Sequence, residues 1–522
     1  FRAGVFYISF LSDQKPSGGS EVTPPAWLNF VHVYGGSIAL PCLIYSNMKV
    51  VSIAMSDVLD VIIIGAGLSG LQAAVDLQKG GRTIAVLEAR NCVGGKTRSV
   101  QRSDGKGVQE MGAAWLNDSN QARVWNYCQE FGLTPVLQAN QGLVASEDED
   151  GTCHFFPFGA MPNFSASEVD NITAIRDVVE AASLDPASYR QPERARLDGI
   201  TFEQFCRDAG AGTRALNTAR LWCRGTLGQD PNEVSALSFL EIARGGLGII
   251  NLRYDGKHGA QYLRLEEGTQ AIAIGISKML PTGTIHLNTA VNTVTQNSSN
   301  LCTVTASRGQ VFKAQKVIIS IPGPSYKNIT YSPPLPPLKH MYVTASRYGF
   351  YLKYICLFKS PFWRRRGSCG LAQSFRGPLN HCRDTSVDHA GNYALTCFIT
   401  SAPGRKWACL SGEDRRKTVL KQLGSLFGVG HAAVETELLD TITSEWVEDR
   451  WAGWGCPVAA TPPGVIGSSL DGEMIQEKFG AIYFIGTELA EEWRGYMEGA
   501  LQSGERGAAQ ALEDFRLQDT RL

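Results

Sequence analysis

Three glycines spaced as Gly65-x-Gly67-x-x-Gly70 form the pattern in this chain that most directly implies chemistry. They follow an unbroken apolar run, Val61 to Ile64, and open a stretch of helical periodicity from Leu68 to Lys79. In that setting the first glycine permits a tight turn. The second lets backbone approach a pyrophosphate, and the third lets helix and strand pack closely. Leu68 and Ser69 would then offer free N–H groups and a positive dipole end to the phosphates. Thr83 to Leu87 reads as the next strand, and Glu88 ends it, where a carboxylate can accept both ribose hydroxyls. A glycine turn alone is common; between a strand and a helix, with an acid at this distance, it points to dinucleotide binding.

Other residues carry chemistry less directly. Lys353 interrupts the apolar run Tyr351 to Phe358. An unpaired buried ammonium is costly, so this lysine either has a partner or snorkels to water. The small-residue run Gly112-Ala113-Ala114-Trp115 lets backbone approach a flat ligand, or simply packs tightly. No histidine, acid or cysteine spacing suggests a nucleophile triad, and the absence of C-x-x-C leaves no metal site to expect.

The totals fit a globular protein of two domains: 522 residues, 43% hydrophobic and 19% charged. A net charge of −1 gives no reason to expect nucleic acid or an anionic membrane as partner. The thirteen cysteines are scattered, which favours free, buried thiols in a reducing compartment. The most apolar stretch, Ser37 to Met55, is broken by Pro41, Asn47 and Lys49, so no membrane anchor is expected. Residues 1–55 read as a disordered N-terminal extension, with Met55 resembling a natural start.

Asn120 to Phe131 is amphipathic, and helical segments dominate from 148 to 263. Strands are expected over Ile285 to Val294, Cys302 to Ala306, Lys316 to Ile321, Arg347 to Lys359, Gly391 to Ser401 and Ile482 to Ile485. The proline cluster Ser332 to Pro337 marks a crossing between domains. A last helix runs from near Met497 to about Phe515. The sheet-rich character returns in separate pieces, which predicts interleaved rather than sequential domains.

Four segments, in order, resemble the flavin-containing monoamine oxidases, especially their soluble fungal members. The first is the glycine fingerprint continued by Glu88-Ala89-Arg90 and Gly94-Gly95-Lys96-Thr97. The second is the run around Lys353 ending Pro361-Phe362-Trp363. The third is Gly455-Cys456-Pro457 with Pro462-Pro463-Gly464. The fourth, and most specific, is Gly486-Thr487-Glu488 with Trp493-Arg494-Gly495-Tyr496-Met497-Glu498-Gly499-Ala500. The resemblance implies an α/β fold of two interleaved domains. A Rossmann-like, parallel-sheet FAD domain would comprise 56–147, 264–345 and 450–513. A substrate domain of mixed β-sheet and helices would comprise 148–263 and 346–449. It further implies FAD as cofactor, an amine and O2 as small-molecule partners, and oxidative deamination of a primary amine to aldehyde, ammonia and hydrogen peroxide.

The resemblance also suggests roles. The second glycine pair and Lys96 would reach the pyrophosphate, and Val291 would contact the adenine half through its backbone. Lys353 would hold a water at the flavin and assist reoxidation. Tyr496 would form one wall of an aromatic cage, and Gln261 would line the substrate cavity. The helix starting at Met497 would point its N-terminus at the flavin pyrimidine. Cys456 stands where the family can bond FAD covalently, while soluble relatives hold FAD without a bond. The other cage wall should follow the cysteine, but Pro457 stands there, leaving Trp454 or Trp493 as substitutes. An L-amino-acid oxidase would need an arginine for the carboxylate and a polyamine oxidase an acidic cavity; neither is identifiable in the sequence. A flavin-binding protein without turnover is the third alternative. The expected compartment is cytoplasmic, with the terminal Thr520-Arg521-Leu522 a loose match to a peroxisomal address, and a homodimer is the assembly considered.

Overall fold

The computed structural model describes residues 58–299, 301–467 and 473–520. The expected N-terminal extension and the last two residues of the terminal tripeptide lie outside them. Leu59–Ile64 has apolar side chains on both faces, so it must lie inside a sheet covered on both sides. It does: it pairs in parallel with Ile84–Leu87 on one side and Val311–Ile319 on the other. This sheet has eight strands. The long strand Val311–Ile319 changes partner along its length. Residues 311–314 pair antiparallel with Cys302–Ala306, and 317–319 pair in parallel with Ile482–Phe484. The helix Leu68–Lys79 packs against the final helix, Met497–Asp519. A side chain at Gly504 would lie 2.5 Å from the Ser69 carbonyl oxygen.

A second sheet has seven strands, ordered Leu438–Ser444, Tyr351–Phe358, Tyr393–Thr400, Leu379–Asp384, Ser368–Ser374, Leu143–Glu147 and Cys153–Pro157. Its pairings are antiparallel except between Ser368–Ser374 and Leu143–Glu147, so it is mixed. The helices Ala166–Leu184, Thr213–Leu227 and Ala236–Gly245 form the helical part of this region. The fold is thus α/β, with a Rossmann-like sheet and a separate mixed-sheet and helical region.

Several expectations need correction. The run Ile285 to Val294 is two strands, Ile285–His286 and Val291–Gln296, because the chain turns at Asn288 with φ 54°. A helix not expected from the sequence, Pro337–Ala345, follows the proline cluster, with proline in the first turn where its missing N–H costs nothing. Leu143–Glu147, ahead of the expected boundary at 147/148, is a strand of the second sheet. Among the described residues no helix is long and apolar enough to cross a membrane, and no cluster of histidine, cysteine and acid could hold a metal.

Candidate functional site

The site begins at the glycine turn. Gly65 has φ +106°, which a side chain would strain, and the peptide after it hydrogen-bonds Glu88: Ala66 N–H donates to Oε2 at 2.7 Å. Arg90 N–H donates to the other carboxylate oxygen at 2.8 Å. Burial pushes the Glu88 carboxyl up from its usual range. Gly94, at φ +121°, donates its N–H to Ala66 O at 2.9 Å, so the second glycine pair lies on the first loop. A Cβ at Gly70 would collide with the Gly65 carbonyl and sit 2.5 Å from Ser320 Oγ. Gly70→Val should therefore cost at least about 1–3 kcal/mol by overpacking between helix and strand. It should yield protein that melts lower and purifies with less bound flavin; an unchanged melting temperature and flavin content would refute that placement.

These loops open onto a cavity of about 360 Å³. Gly65, Gly67, Leu68, Ser69, Arg90 and Gly94 to Thr97 line it, as do Gly112 to Trp115. Gln261, Lys353, Cys456, Gly486 to Glu488, Tyr496 and Met497 line the same space. Of the residues expected at the site, Gly70, Glu88, Ala89 and Val291 do not line it. Gly70 is consumed by packing and Glu88 reaches the turn through backbone N–H groups.

The residues present fit an FAD. The helix Leu68–Lys79 starts at Gly67 with no side-chain cap and no acid in its first turn, leaving N–H groups for an anion. Ser69 Oγ is buried there without a hydrogen-bond partner. The helix Met497–Asp519 also starts uncapped, and its first-turn Glu498 is turned away to Arg123, 3.1 Å distant. Lys96 Nζ lies 3.6 Å from Glu488 and donates to Pro457 O at 3.3 Å.

Lys353 does not snorkel. It is 5% exposed, and Nζ donates to the carbonyls of Glu110 at 3.0 Å and Gly112 at 2.5 Å. Burial lowers its pKa to about 8, against an opposing pull from Glu110, whose own carboxyl burial raises to about 7. Its charge lies 5.5 Å from the Trp115 ring centroid.

Neither substitute for the missing cage wall serves. Trp454 is 49% exposed and off the cavity, and Trp493 is buried edge-on behind Tyr496. Tyr351 and Phe398 line the cavity instead, 5.6 Å apart, with His381 stacked on Phe398 at 4.3 Å. Tyr496 accepts a hydrogen bond from Gln261 Nε2 at 3.4 Å, while Gln261 Oε1 is buried without a partner. Sequence reasoning also missed Arg253 and Arg383, which line the cavity from separate segments. Nothing in their local sequence marks them.

The sequence profile of the family described as flavin containing amine oxidoreductase matches residues 68–512. A probable flavin-containing monoamine oxidase A of Dictyostelium discoideum is 30% identical over 458 residues, covering 87% of this chain and 97% of that protein. A flavin-containing amine oxidase of Danio rerio is also 30% identical, over 87% of this chain and 85% of its own length. A putative flavin-containing monoamine oxidase of Mycobacterium tuberculosis is 31% identical, over 86% of this chain and 96% of its own length. Among solved structures, a putrescine oxidase bound to putrescine superposes with TM-score 0.79 at 25% identity, covering 87% of this chain and 99% of that one. The likeness thus extends to amine oxidases of varied source and is not specific to the soluble fungal members. With the cavity and the profile in agreement, the chain belongs to the flavin-containing amine oxidoreductases, FAD-dependent enzymes that oxidise amines with O2.

Proposed function

We propose that the chain oxidises the carbon bearing an amine by two electrons, with water and O2 consumed and a carbonyl product, ammonia and hydrogen peroxide released. The observation that supports this is a single cavity. The glycine loops, Lys353, Cys456, and the aromatic side chains Tyr351, Phe398 and Tyr496 all open onto it. FAD, held by the glycine loops and the two helix N-termini, would supply the hydride acceptor and the route of the electrons to O2.

The remaining work falls to side chains. Tyr351, Phe398 and Tyr496 present ring surface that orients an amine through dipolar or cation–π attraction. The unpartnered Gln261 Oε1 is an acceptor beside Tyr496. Leu221, Trp222, Ile242, Leu252 and Leu371 give the cavity apolar wall that excludes water from the reacting carbon. Among the described residues the one histidine on the wall is His381. Burial, then Arg383 and Arg253, push the His381 imidazole well below its usual pKa, so it stays neutral and weakly basic.

A polyamine is poorly matched. The one acidic side chain on the described wall is Glu488, already engaged by Lys96 and the Tyr348 hydroxyl. Purified protein should be yellow and release peroxide when given primary amines. Flavin-free folded protein, or holoprotein inert to amines, amino acids and polyamines alike, would overturn this reading.

A further inference from the structure

The cavity wall carries charge that the cofactor loops do not require. Arg383 lines it and donates to both oxygens of Asp255, each at 3.0 Å. Arg253 lines it as well, its guanidinium carbon 5.3 Å from the Trp222 ring centroid. Among the described residues none forms a hydrogen bond or ion pair with the Arg253 guanidinium. Asp255 acts on it only through space, because both carboxylate oxygens are taken by Arg383. Two guanidiniums against one carboxylate leave this stretch of wall with an uncompensated positive charge. Arg253 is an exposed residue, so its guanidinium is open to solvent where it lines the cavity.

The position is tied to the aromatic end. Gln261 Nε2 donates to the carbonyl of Leu252, the residue before Arg253, at 3.1 Å and reaches the Tyr496 hydroxyl at 3.4 Å. The charge of Arg383 acts on both Tyr496 and Tyr351. A guanidinium that no protein group has claimed is free to take an anion. Its planar fork matches a carboxylate with two parallel hydrogen bonds.

We propose that Arg253, beside the Asp255-bound Arg383, is the seat of a substrate carboxylate, so that the amine oxidised here is carried by an amino acid. This rests on the amine oxidation proposed above and names its substrate class. The balance of the reaction is unchanged. The C–H bond next to nitrogen gives up two electrons and a proton, a C=N bond forms, water displaces ammonia, and O2 takes the electrons as hydrogen peroxide. The carboxylate is retained throughout.

The test compares substrates that differ only in that group. Holoenzyme should turn over phenylalanine with a higher kcat/KM than phenylethylamine, or 4-aminobutyrate with a higher one than butylamine; which pair responds separates α- from ω-amino acids. In Arg253→Met the ratio within the responding pair should fall about 10²-fold, with Arg253→Lys in between. Binding gives a readout without turnover. Benzoate should bind parent holoenzyme in calorimetry and raise its melting temperature, its neutral analogue benzamide should not, and Arg253→Met should lose the benzoate effect. Preference for the uncharged amine in both pairs, or benzoate binding equal in parent and Arg253→Met, overturns the proposal. If no amine reduces the flavin, the oxidase reading fails by itself, and the benzoate comparison still decides whether Arg253 is a carboxylate site.

Discussion

Lys353→Met will slow reoxidation of the reduced enzyme by O2 about 10²-fold or more, while anaerobic reduction by substrate changes only a few-fold. Electrons arriving on O2 create negative charge in a space whose walls are largely apolar, and a fixed cation there is worth far more than in water. Lys353 is such a cation. Two of its three donors are pinned to the carbonyls of Glu110 and Gly112, so the charge is held in place rather than recruited. Reduction by substrate places no such charge on oxygen, and the two half-reactions should separate. Acid–base behaviour supplies a second check. Burial brings the Lys353 pKa down to about 8, so the ammonium is present below that pH and lost as pH rises through it. Reoxidation in the parent should fall through that range, and in the Met variant it should be flat. Stopped-flow measurement of both half-reactions against pH decides the matter. Equal reoxidation rates would mark Lys353 as a residue of packing alone.

The sequence made the cofactor end of this cavity legible and the substrate end opaque, for physical reasons. A glycine turn is a local requirement: the positive φ of Gly65 and the contact at Gly70 exclude side chains, so the residues announce the geometry. Central parallel strands likewise announce themselves, because burial on both faces demands a run such as Val61 to Ile64. The second sheet has no such signature throughout. Ser368–Ser374 and Leu379–Asp384 lack the alternation or β-branched density of a strand, and neighbouring strands decide their conformation. The cavity wall depends on the same tertiary assembly. Tyr351 and Phe398 meet only because Tyr351–Phe358 pairs with Tyr393–Thr400. Arg383 reaches Asp255 across 128 residues of chain. A search confined to the neighbourhood of Pro457 therefore turns to Trp454 and Trp493, whereas the aromatic surface comes from another element.

We propose that FAD is bonded to Cys456, so that acid precipitation of the purified holoenzyme leaves its yellow colour in the pellet. Among the described residues this is the one cysteine on the cavity wall. It is 9% exposed, and its thiol makes only a weak contact, 3.8 Å from the Tyr351 carbonyl. Burial pushes the thiol pKa up to about 12, which would make it inert if nothing opposed that shift. Lys96 and Lys353 oppose it, and both are placed by other demands: Lys96 by Glu488 and the glycine loops, Lys353 by two carbonyls. The bond joins sulfur to a ring methyl with loss of two protons and two electrons, which oxidised FAD would accept and pass on to O2 as hydrogen peroxide. Apoprotein loaded with FAD in air and without substrate should consequently release hydrogen peroxide in step with the colour that becomes fixed in the pellet. Cys456→Ala should release all flavin on denaturation and no such peroxide on loading, yet still purify yellow, since the glycine loops and helix N-termini remain. Colour wholly in the supernatant from aerobic parent enzyme would show that Cys456 is only a small buried hydrophobe and that FAD is held without a bond.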